Sequence, residues 1–324
     1  MFVEKVKKVL FFIISKIENT IGFFISISLH PQNFNTLPMA DKEVYKNKKV
    51  AIVMQGPIKK ETNFTYETLK LYVNIFPNTI IILSTWQNED INHINKIKSL
   101  GVIVLLNELP QYNGNLNVNY QIVSTRSGIE AGLNAGATHC LKTRTDQRIY
   151  KNTTLNLLLS ILETFPLDDK YELQNERIIG LNYSTSTREL YWFGDFLLFG
   201  DVDDMYRYWS LPLQNQGFED LLDDNDFREC IKNDSGIVPE MYLTVSYLKA
   251  LRIQLKWTKN DWWEILRDRF CIIDKENIDL YWYKYLSRFR ANNMQTFLPI
   301  EAESRIDFSR WLTEYTKNKN ERVV

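Results

Sequence analysis

Cysteines are few, and the common nucleotide-binding motifs are absent, in this 324-residue sequence. Its three cysteines, Cys140, Cys230 and Cys271, form no Cys-x-x-Cys pair. This argues against a zinc site or a disulfide framework and favours a reducing, cytoplasmic setting. There is no P-loop, no Gly-x-Gly-x-x-Gly and no serine–histidine elbow. The enzyme classes that carry those motifs are therefore not indicated.

A charge imbalance and long apolar runs are also missing. The formal net charge is −1, so no overall field attracts nucleic acid, and we expect no nucleic-acid partner. The longest apolar runs near the N-terminus, 9–14 and 21–25, are shorter than the roughly 18 residues that a membrane-spanning helix needs. A small-residue cleavage site, as in a signal peptide, is not evident.

Residues 1–30 combine several lysines with apolar residues at helical spacing. The apolar positions are Val3, Val6, Leu10, Ile13, Ile14, Ile17, Ile21 and Phe24. This pattern predicts an amphipathic helix. Such a helix either lies in a membrane interface or packs against the domain or a partner subunit. Residues 31–47 are largely polar and are predicted to connect the helix to a folded domain.

From residue 48 onward, short apolar segments alternate with helical patterns. Strands are predicted over 49–54, 79–83 and 101–106, and helices over 66–75, 90–100 and 117–135. This order predicts an α/β fold with a mostly parallel sheet flanked by helices. Parallel sheets bind ligands beyond the carboxyl ends of their strands. The residues at two such ends are Gln55, Gly56 and Pro57, and Ser84, Thr85 and Trp86.

The most distinctive segment is 138–151, which begins apolar and continues with alternating charges. In a single strand, Lys142, Arg144, Asp146 and Arg148 would share one face. Cations of this kind neutralise phosphate, and a carboxylate beside them can hold a divalent ion against it. The segment therefore predicts a site for a phosphorylated ligand at a third strand end, with Asp146 as the candidate metal ligand.

Two acidic residues in the second half of the chain are candidate catalytic groups. Asp195 is predicted to precede a strand over 196–199 and follows Gly194, which permits a close backbone approach. Glu240 follows Pro239 in the first turn of a predicted helix, where the helix dipole also favours a carboxylate. Each residue has two interpretations: a general base or acceptor-binding group, or a purely structural carboxylate.

Aromatic residues make up 13% of the sequence and are concentrated in its second half. Residues 261–324 are predicted to form an aromatic-rich helical extension that includes an amphipathic helix over 281–290. The main domain is predicted over 48–260, in two halves, 48–150 and 151–260. Packing accounts for most of the rings, and stacking on a sugar is the functional alternative.

Several sequence blocks between residues 48 and 250 share their order with a known family. They include Val-Ala-Ile-Val-Met-Gln-Gly-Pro-Ile at 50–58, Ile-Ile-Leu-Ser-Thr-Trp at 81–86, Leu-Lys-Thr-Arg-Thr-Asp-Gln at 141–147 and Gly-Asp-Phe-Leu-Leu-Phe-Gly at 194–200. Asn119, Gln121, Thr125, Arg126 and Gly128, and residues 239–243, complete the set. With these blocks the chain resembles the WavE lipopolysaccharide-synthesis family of bacterial glycosyltransferase-like proteins.

The resemblance implies a GT-A-like, Rossmann-type fold and transfer of a sugar from a nucleotide-sugar donor to a surface polysaccharide, capsule or lipopolysaccharide acceptor. The candidate donor-binding residues are Gln55, Gly56, Pro57, Ser84, Thr85, Trp86, Arg126, Lys142 and Arg144. Asp195 and Glu240 are then the candidate catalytic residues.

The metal site departs from the pattern that the resemblance implies. Most GT-A enzymes hold a divalent metal through Asp-x-Asp, whereas this chain has Arg144-Thr145-Asp146. Asp146 could hold Mn²⁺ or Mg²⁺ if the diphosphate and water supplied the remaining ligands. Alternatively, Lys142, Arg144 and Arg126 could neutralise the diphosphate without a metal.

Three functions compete at this point. The first is a glycosyltransferase with a nucleotide-sugar donor and a glycan or glycolipid acceptor, working in the cytoplasm on the inner face of the bacterial inner membrane as a peripheral protein. The second is a sugar nucleotidyltransferase, although residues 55–60 are a poor version of the phosphate loop that it needs. The third is a noncatalytic scaffold of a polysaccharide-assembly complex, against which the charged segment argues.

Overall fold

The central feature of the protein is a seven-stranded sheet. The computed structural model describes residues 2–22, 30–32, 48–183, 185–187, 189–215, 224–232, 237–283 and 306–321. The sheet strands are β1 (Val50–Gln55), β2 (Ile80–Trp86), β3 (Ile103–Asn107), β4 (His139–Arg144), β6 (Ile178–Leu181), β7 (Leu198–Asp201) and β8 (Phe270–Ile273). Strands β5 (Gln147–Ile149) and β9 (Leu280–Trp282) form a separate two-stranded sheet.

The strand order of the large sheet is β3-β2-β1-β4-β7-β6-β8. Strands β3, β2, β1 and β4 are parallel to one another, and β8 is parallel to β6. Only β7 runs against its neighbours β4 and β6 in this sheet. The expectation of a mostly parallel α/β sheet is confirmed.

Helices flank the sheet along the described part of the chain. They are α1 (Phe2–Ile21), α2 (Phe64–Ile75), α3 (Ile91–Lys98), α4 (Val118–Asn134), α5 (Thr154–Thr164), α6 (Val202–Trp209), α7 (Asn225–Lys232), α8 (Pro239–Ala250), α9 (Lys259–Arg269) and α10 (Phe308–Glu321). Helix ends follow local capping chemistry. The Asp90 side chain accepts from the Asn92 amide at the start of α3, and Asp201 caps α6 in the same way.

Two glycines let α4 lie directly against β1. A Cβ at Gly128 would be 2.3 Å from Val53 Cγ1, and one at Gly132 would be 2.7 Å from the Ala51 Cβ. Larger side chains would push the helix away from the sheet. This close packing places the first turns of α4 beside the carboxyl end of β1, where Ser124 donates to Gln55 Oε1 at 3.0 Å.

The charged segment 138–151 is not one strand, so the prediction of a single charged face is wrong. Strand β4 ends at Arg144, the chain turns at Thr145 and Asp146, and β5 joins the two-stranded sheet. Arg148 is consequently turned away from the others. It is buried and donates to Thr68 Oγ1 at 2.8 Å and to the Phe64 carbonyl at 3.1 Å.

The second half of the chain also departs from its predicted elements. The strand expected over 196–199 is β7, Leu198–Asp201, so Asp195 lies in the segment that leads into it. The expectation that residues after 260 are only helical is wrong, because β8 is an edge strand of the large sheet and β9 pairs with β5. Most of the predicted helix over 281–290 lies outside the described residues.

Helix α1 confirms a helical N-terminal segment as far as Ile21. Of its described side chains Ile14 is buried, whereas Phe11 and Phe12 are 66% and 65% exposed. The end of the predicted 1–30 segment and most of the 31–47 connector lie outside the described residues. Within the described ranges, no helix has the combined length and hydropathy of a membrane span.

Candidate active site

The carboxyl ends of three adjacent strands meet where the sequence places its candidate binding residues. In the sheet register, Gln55 at the end of β1 pairs with Ser84 of β2 on one side and with Arg144 of β4 on the other. The predicted convergence of these strand ends is confirmed. Its cause is topological, since parallel strands end at the same edge of a sheet.

A cavity of about 830 Å³ opens at this edge. Its volume lies within the range of typical small-molecule sites. Six candidates from the sequence line it: Gln55, Gly56, Pro57, Trp86, Arg144 and Asp146. Residues that the sequence analysis did not select also line it, namely Lys59, Lys60, Glu89, Asn117, Tyr120 and Gln121.

The backbone at Gly56 forms part of the cavity wall. Its φ of +116° lies in a region that favours glycine, and a Cβ there would be 3.1 Å from Thr145 Oγ1. The Gly56 amide donates to the Ser84 carbonyl at 3.1 Å, and the Thr145 amide donates to the Gln55 carbonyl at 3.1 Å. The turn after β1 is thereby tied to both neighbouring strands.

The loop that follows carries two lysines along the cavity. The Ile58 amide donates to Glu89 Oε1 at 2.6 Å, and the Lys59 amide donates to Thr65 Oγ1 at 2.8 Å. The Lys59 ammonium lies 3.0 Å from Glu61 Oε2 and over the Tyr283 ring. These bonds orient the loop, so the lysines contribute positive charge from a defined backbone. The sequence signal for them was the Gln55–Lys60 stretch, which lacks the glycines of a standard phosphate loop.

Arg144 and Asp146 form a two-point ion pair at the end of β4. Arg144 Nε donates to Asp146 Oδ1 at 2.9 Å, and an Nη donates to Asp146 Oδ2 at 3.2 Å. The guanidinium carbon also lies over the Trp282 ring, 5.4 Å from its centroid. A planar guanidinium suits both contacts, which a lysine would not reproduce.

Lys142 does not line the cavity, although it is two residues before Arg144. It is completely buried, donates from Nζ to the Asp195 carbonyl at 2.5 Å and lies over the Trp209 ring. Burial lowers the pKa of Lys142 to about 8, and the negative charge of Asp195 opposes that shift. Lys142 therefore fixes the backbone at Asp195 from inside the protein.

The Asp195 carboxylate is the most unusual group near the site. The residue is 1% exposed, and among the described residues neither carboxylate oxygen has a hydrogen-bond partner. Leaving such a group unpaired is costly, so native proteins seldom do so without a functional reason. Its charge acts on both Lys142 and Tyr208.

Glu240 lies in the first turn of α8 and is almost buried. Its charge acts on Lys142 and Tyr208, as that of Asp195 does. The Tyr208 hydroxyl pairs with Thr244 Oγ1 at 3.2 Å, and burial raises the pKa of Tyr208. The fold therefore gathers the two candidate catalytic carboxylates around one buried lysine and one buried tyrosine.

Three other sequence candidates lie outside the cavity wall. Ser84 Oγ accepts from Asn107 Nδ2 at 2.9 Å, and Thr85 Oγ1 donates to Glu89 Oε1 at 3.2 Å. Both therefore support the residues around the cavity. Arg126 is half-buried on α4 and does not line the cavity.

No cluster of three or more histidine, cysteine, aspartate or glutamate side chains suited to a metal occurs among the residues that the structure describes. Both oxygens of Asp146 accept hydrogen bonds from Arg144. A divalent ion needs several oxygen ligands and is repelled by an adjacent guanidinium. The donor set at this position therefore does not fit a metal held by the protein.

Residues 50–323 match the sequence profile of the family described as WavE lipopolysaccharide synthesis. This chain belongs to the WavE lipopolysaccharide synthesis family. The match reaches further toward the C-terminus than the blocks from which the resemblance was inferred, and it includes β8, β9 and α10. No curated protein matches the chain.

Three solved structures with detectable similarity are distant from this chain in sequence. A candidate nucleotide-diphospho-sugar transferase from Desulfovibrio desulfuricans is 7% identical, with a TM-score of 0.35 over 64% of this chain and 77% of that one. A mannose-1-phosphate geranyltransferase from Thermus thermophilus is 12% identical, with a TM-score of 0.30 over 61% of this chain and 67% of that one. A CMP:2-keto-3-deoxy-manno-octonic acid synthetase complexed with CTP is 10% identical, with a TM-score of 0.34 over 64% of this chain and 100% of that one. Likenesses this weak carry no argument about activity.

Family membership therefore assigns the WavE protein to lipopolysaccharide synthesis. The family description names a process and not a reaction, so the type of reaction has to be argued from the chemistry of the site.

Proposed function

We propose that this WavE protein is a glycosyltransferase that moves a sugar from a nucleotide-sugar donor to a lipopolysaccharide or related surface-glycan acceptor. The observation that carries the proposal is the pairing of two different environments. A cavity lined by Lys59, Lys60 and Arg144 lies at the strand ends. Asp195 does not line it but is buried with unsatisfied carboxylate oxygens, and its neighbour Phe196 packs on Trp282, the ring that Arg144 also contacts. Sugar transfer needs both a stabilised leaving group and, when configuration inverts, a base.

The cavity would hold the donor. The glycine backbone at Gly56 allows a close approach of a ligand, and Lys59, Lys60 and Arg144 can each contact a diphosphate. Glu61, Glu89 and Asp146 line the same cavity, so its cations act by direct contact and not through a net positive charge. Gln121 Oε1 faces no hydrogen-bond donor among the described residues, although the atom is shielded from solvent. A hydroxyl or amino group of the bound nucleotide-sugar would donate a hydrogen bond to this oxygen.

The acceptor side would contain the base. If transfer inverts configuration, Asp195 takes the proton of the acceptor hydroxyl, and Glu240 orients the acceptor from the start of α8. Lys142 holds the Asp195 backbone, and the charges of both carboxylates act on its pKa.

Product analysis tests this function against nucleotidyl transfer. Purified full-length protein is incubated with a panel of UDP-, GDP-, CMP- and dTDP-sugars and with lipopolysaccharide core acceptors. A glycosyltransferase releases a nucleoside mono- or diphosphate and gives a glycosylated acceptor. A second incubation contains a sugar phosphate and a nucleoside triphosphate instead. Release of pyrophosphate in that reaction would support the nucleotidyltransferase. Absence of nucleotide binding altogether would support the scaffold.

We further propose that α1 brings the enzyme to the membrane that carries its acceptor. Exposed apolar residues such as Val9, Phe11 and Phe12 occur on the same helix as Lys5, Lys8 and Lys16. A helix of this kind lies in the interface, with its lysines near anionic headgroups.

Vesicle sedimentation tests the role of α1. Full-length protein should bind anionic vesicles, and both deletion of residues 1–30 and the double variant Phe11→Ser, Phe12→Ser should abolish binding. The double variant keeps every lysine, so its loss of binding would show that the exposed apolar side chains are needed in addition to the charge. Failure of the full-length protein to bind, or aggregation of the truncated protein, would make α1 a packing element instead.

A further inference from the structure

Arg144, at the end of β4, stands where the Asp-x-Asp motif of most GT-A enzymes has its first aspartate. Arg144 lines the cavity, and Asp146 engages its guanidinium through two hydrogen bonds. The guanidinium carbon also lies over the Trp282 ring, 5.4 Å from its centroid. Two independent contacts therefore set the orientation of this positive charge.

Backbone hydrogen bonds between β5 and β9 support the Arg144–Asp146 pair. Strand β9 pairs with β5 through Gln147 and Trp282, and the Tyr283 amide donates to the Asp146 carbonyl at 2.8 Å. Trp282 also packs on Phe196, the residue after Asp195, with ring centroids 4.4 Å apart. The Arg144–Asp146 pair is consequently connected to the segment that carries the candidate base.

The other carboxylates of the cavity are already engaged. Glu89 accepts from the Ile58 amide and from Thr85, and Glu61 pairs with Lys59. A metal at Asp146 would have to displace the guanidinium or lie beside it, and like charges repel strongly where solvent is limited. Phosphate, in contrast, is a preferred partner of a guanidinium.

From this geometry we infer that Arg144, held by Asp146 and Trp282, binds the diphosphate of the donor directly and replaces the divalent metal. The inference rests on the proposed function, because it needs a phosphorylated donor in this cavity. Lys59 and Lys60 supply further positive charge to the same ligand. Asp146 acts as a positioning residue for the guanidinium, not as a metal ligand.

Calorimetric titration of full-length protein with UDP, GDP, CDP and dTDP, in excess EDTA or in excess Mn²⁺, tests the inference. The wild type should bind one of these nucleotides with the same affinity in both conditions. Arg144→Gln should weaken binding about ten- to a hundredfold in both, as expected for the loss of a charged hydrogen bond.

Arg144→Asp gives the sharper readout, because it places two carboxylates two residues apart and offers oxygen ligands to a divalent ion. We expect it to lose binding in EDTA and to recover part of it in Mn²⁺. Lys98→Asp is the charge-matched control, since Lys98 is exposed in the last turn of α3. It should bind as the wild type does. Thermal unfolding of each variant confirms that it is folded.

The results separate the inference from the function on which it rests. Wild-type binding that requires Mn²⁺ would overturn the inference and leave the glycosyltransferase proposal intact. Binding by Arg144→Gln equal to that of the wild type would also overturn it. No binding of any of the four diphosphates by the wild type, in either condition, would overturn the inference. If CMP does not bind either, the proposed function is overturned as well.

Discussion

The two sides of the large sheet, taken along its strand order, build different chemical environments. From β3 to β4 every neighbouring pair is parallel, and the strand ends present Gly56 and Arg144 to an open cavity. Around β7, where the direction reverses, the Asp195 carboxylate is enclosed beside Lys142. Open cationic groups suit a ligand that arrives charged. An enclosed carboxylate suits proton transfer, because its interactions are strong where water is excluded.

The enclosed side should give the largest mutational effect. If Asp195 is the base of an inverting reaction, Asp195→Asn should lower kcat by about 10²–10⁴. Glu240→Gln should act mainly on the KM for the acceptor. Steady-state kinetics of both variants with one donor and one acceptor measures the contrast. If Glu240→Gln lowers kcat and Asp195→Asn changes only KM, the two roles are exchanged. If neither changes kcat, the proton goes elsewhere, as in a retaining reaction.

The open side should respond next. Asp146→Ala should reduce transfer about a hundredfold or more, since removing a group that organises leaving-group stabilisation costs about 3 kcal/mol of barrier. The fold should survive, because Asp146 lies in a turn at the surface of the cavity. Asp146→Asn keeps the shape without the charge and should be affected less. Unchanged turnover of the alanine variant, with unfolding behaviour like that of the wild type, would remove Asp146 from the site.

The smallest expected effect concerns the lysine between the two sides. The pKa of Lys142 is lowered to about 8, whereas in the unfolded chain it is near 10.5, so the unfolded state binds more protons between these values. Stability should therefore rise with pH across this window. Relative to Lys142→Met, the wild-type free energy of unfolding should increase by roughly 1 kcal/mol per pH unit from about pH 8 to 10.

Denaturant unfolding of both proteins at several pH values measures this difference. Buried tyrosines such as Tyr72 and Tyr208 have raised pKa values and lower stability at high pH, but they are present in both proteins and cancel in the comparison. A difference that does not change with pH would mean that Lys142 keeps its ordinary pKa in the folded protein.

The strands of the parallel side could be predicted because their residues are apolar almost throughout. Strand β1 is buried along its whole length, as a parallel strand covered on both faces must be. The segment after β4 could not be predicted in this way. Alternation of charge suggested one strand, but the turn at Thr145–Asp146 sends Arg148 to Thr68 and Phe64 of α2. A two-residue period cannot distinguish one strand from two strands joined by a tight turn.

The residues of the candidate site likewise divide into those that the sequence predicted and those that it did not. Gln55, Gly56, Trp86 and Arg144 line the cavity, and each is at the end of a strand that the sequence predicted. Lys142 was grouped with them by its spacing, yet it is buried under Asp195. Lys59 and Tyr120 were missed, because loop and helix residues reach a site only through the path of the chain.

The sequence by itself determined the α/β class, the strand ends that carry the binding residues and the WavE relationship, because these depend on local hydrophobic pattern and on the order of short blocks. Only the tertiary structure decided that Arg144 pairs with Asp146, that Lys142 is internal and that β8 completes the sheet. These outcomes depend on contacts between residues far apart in the chain, such as Arg144 with Trp282. Only packing can choose among such contacts, since several would satisfy the same local pattern.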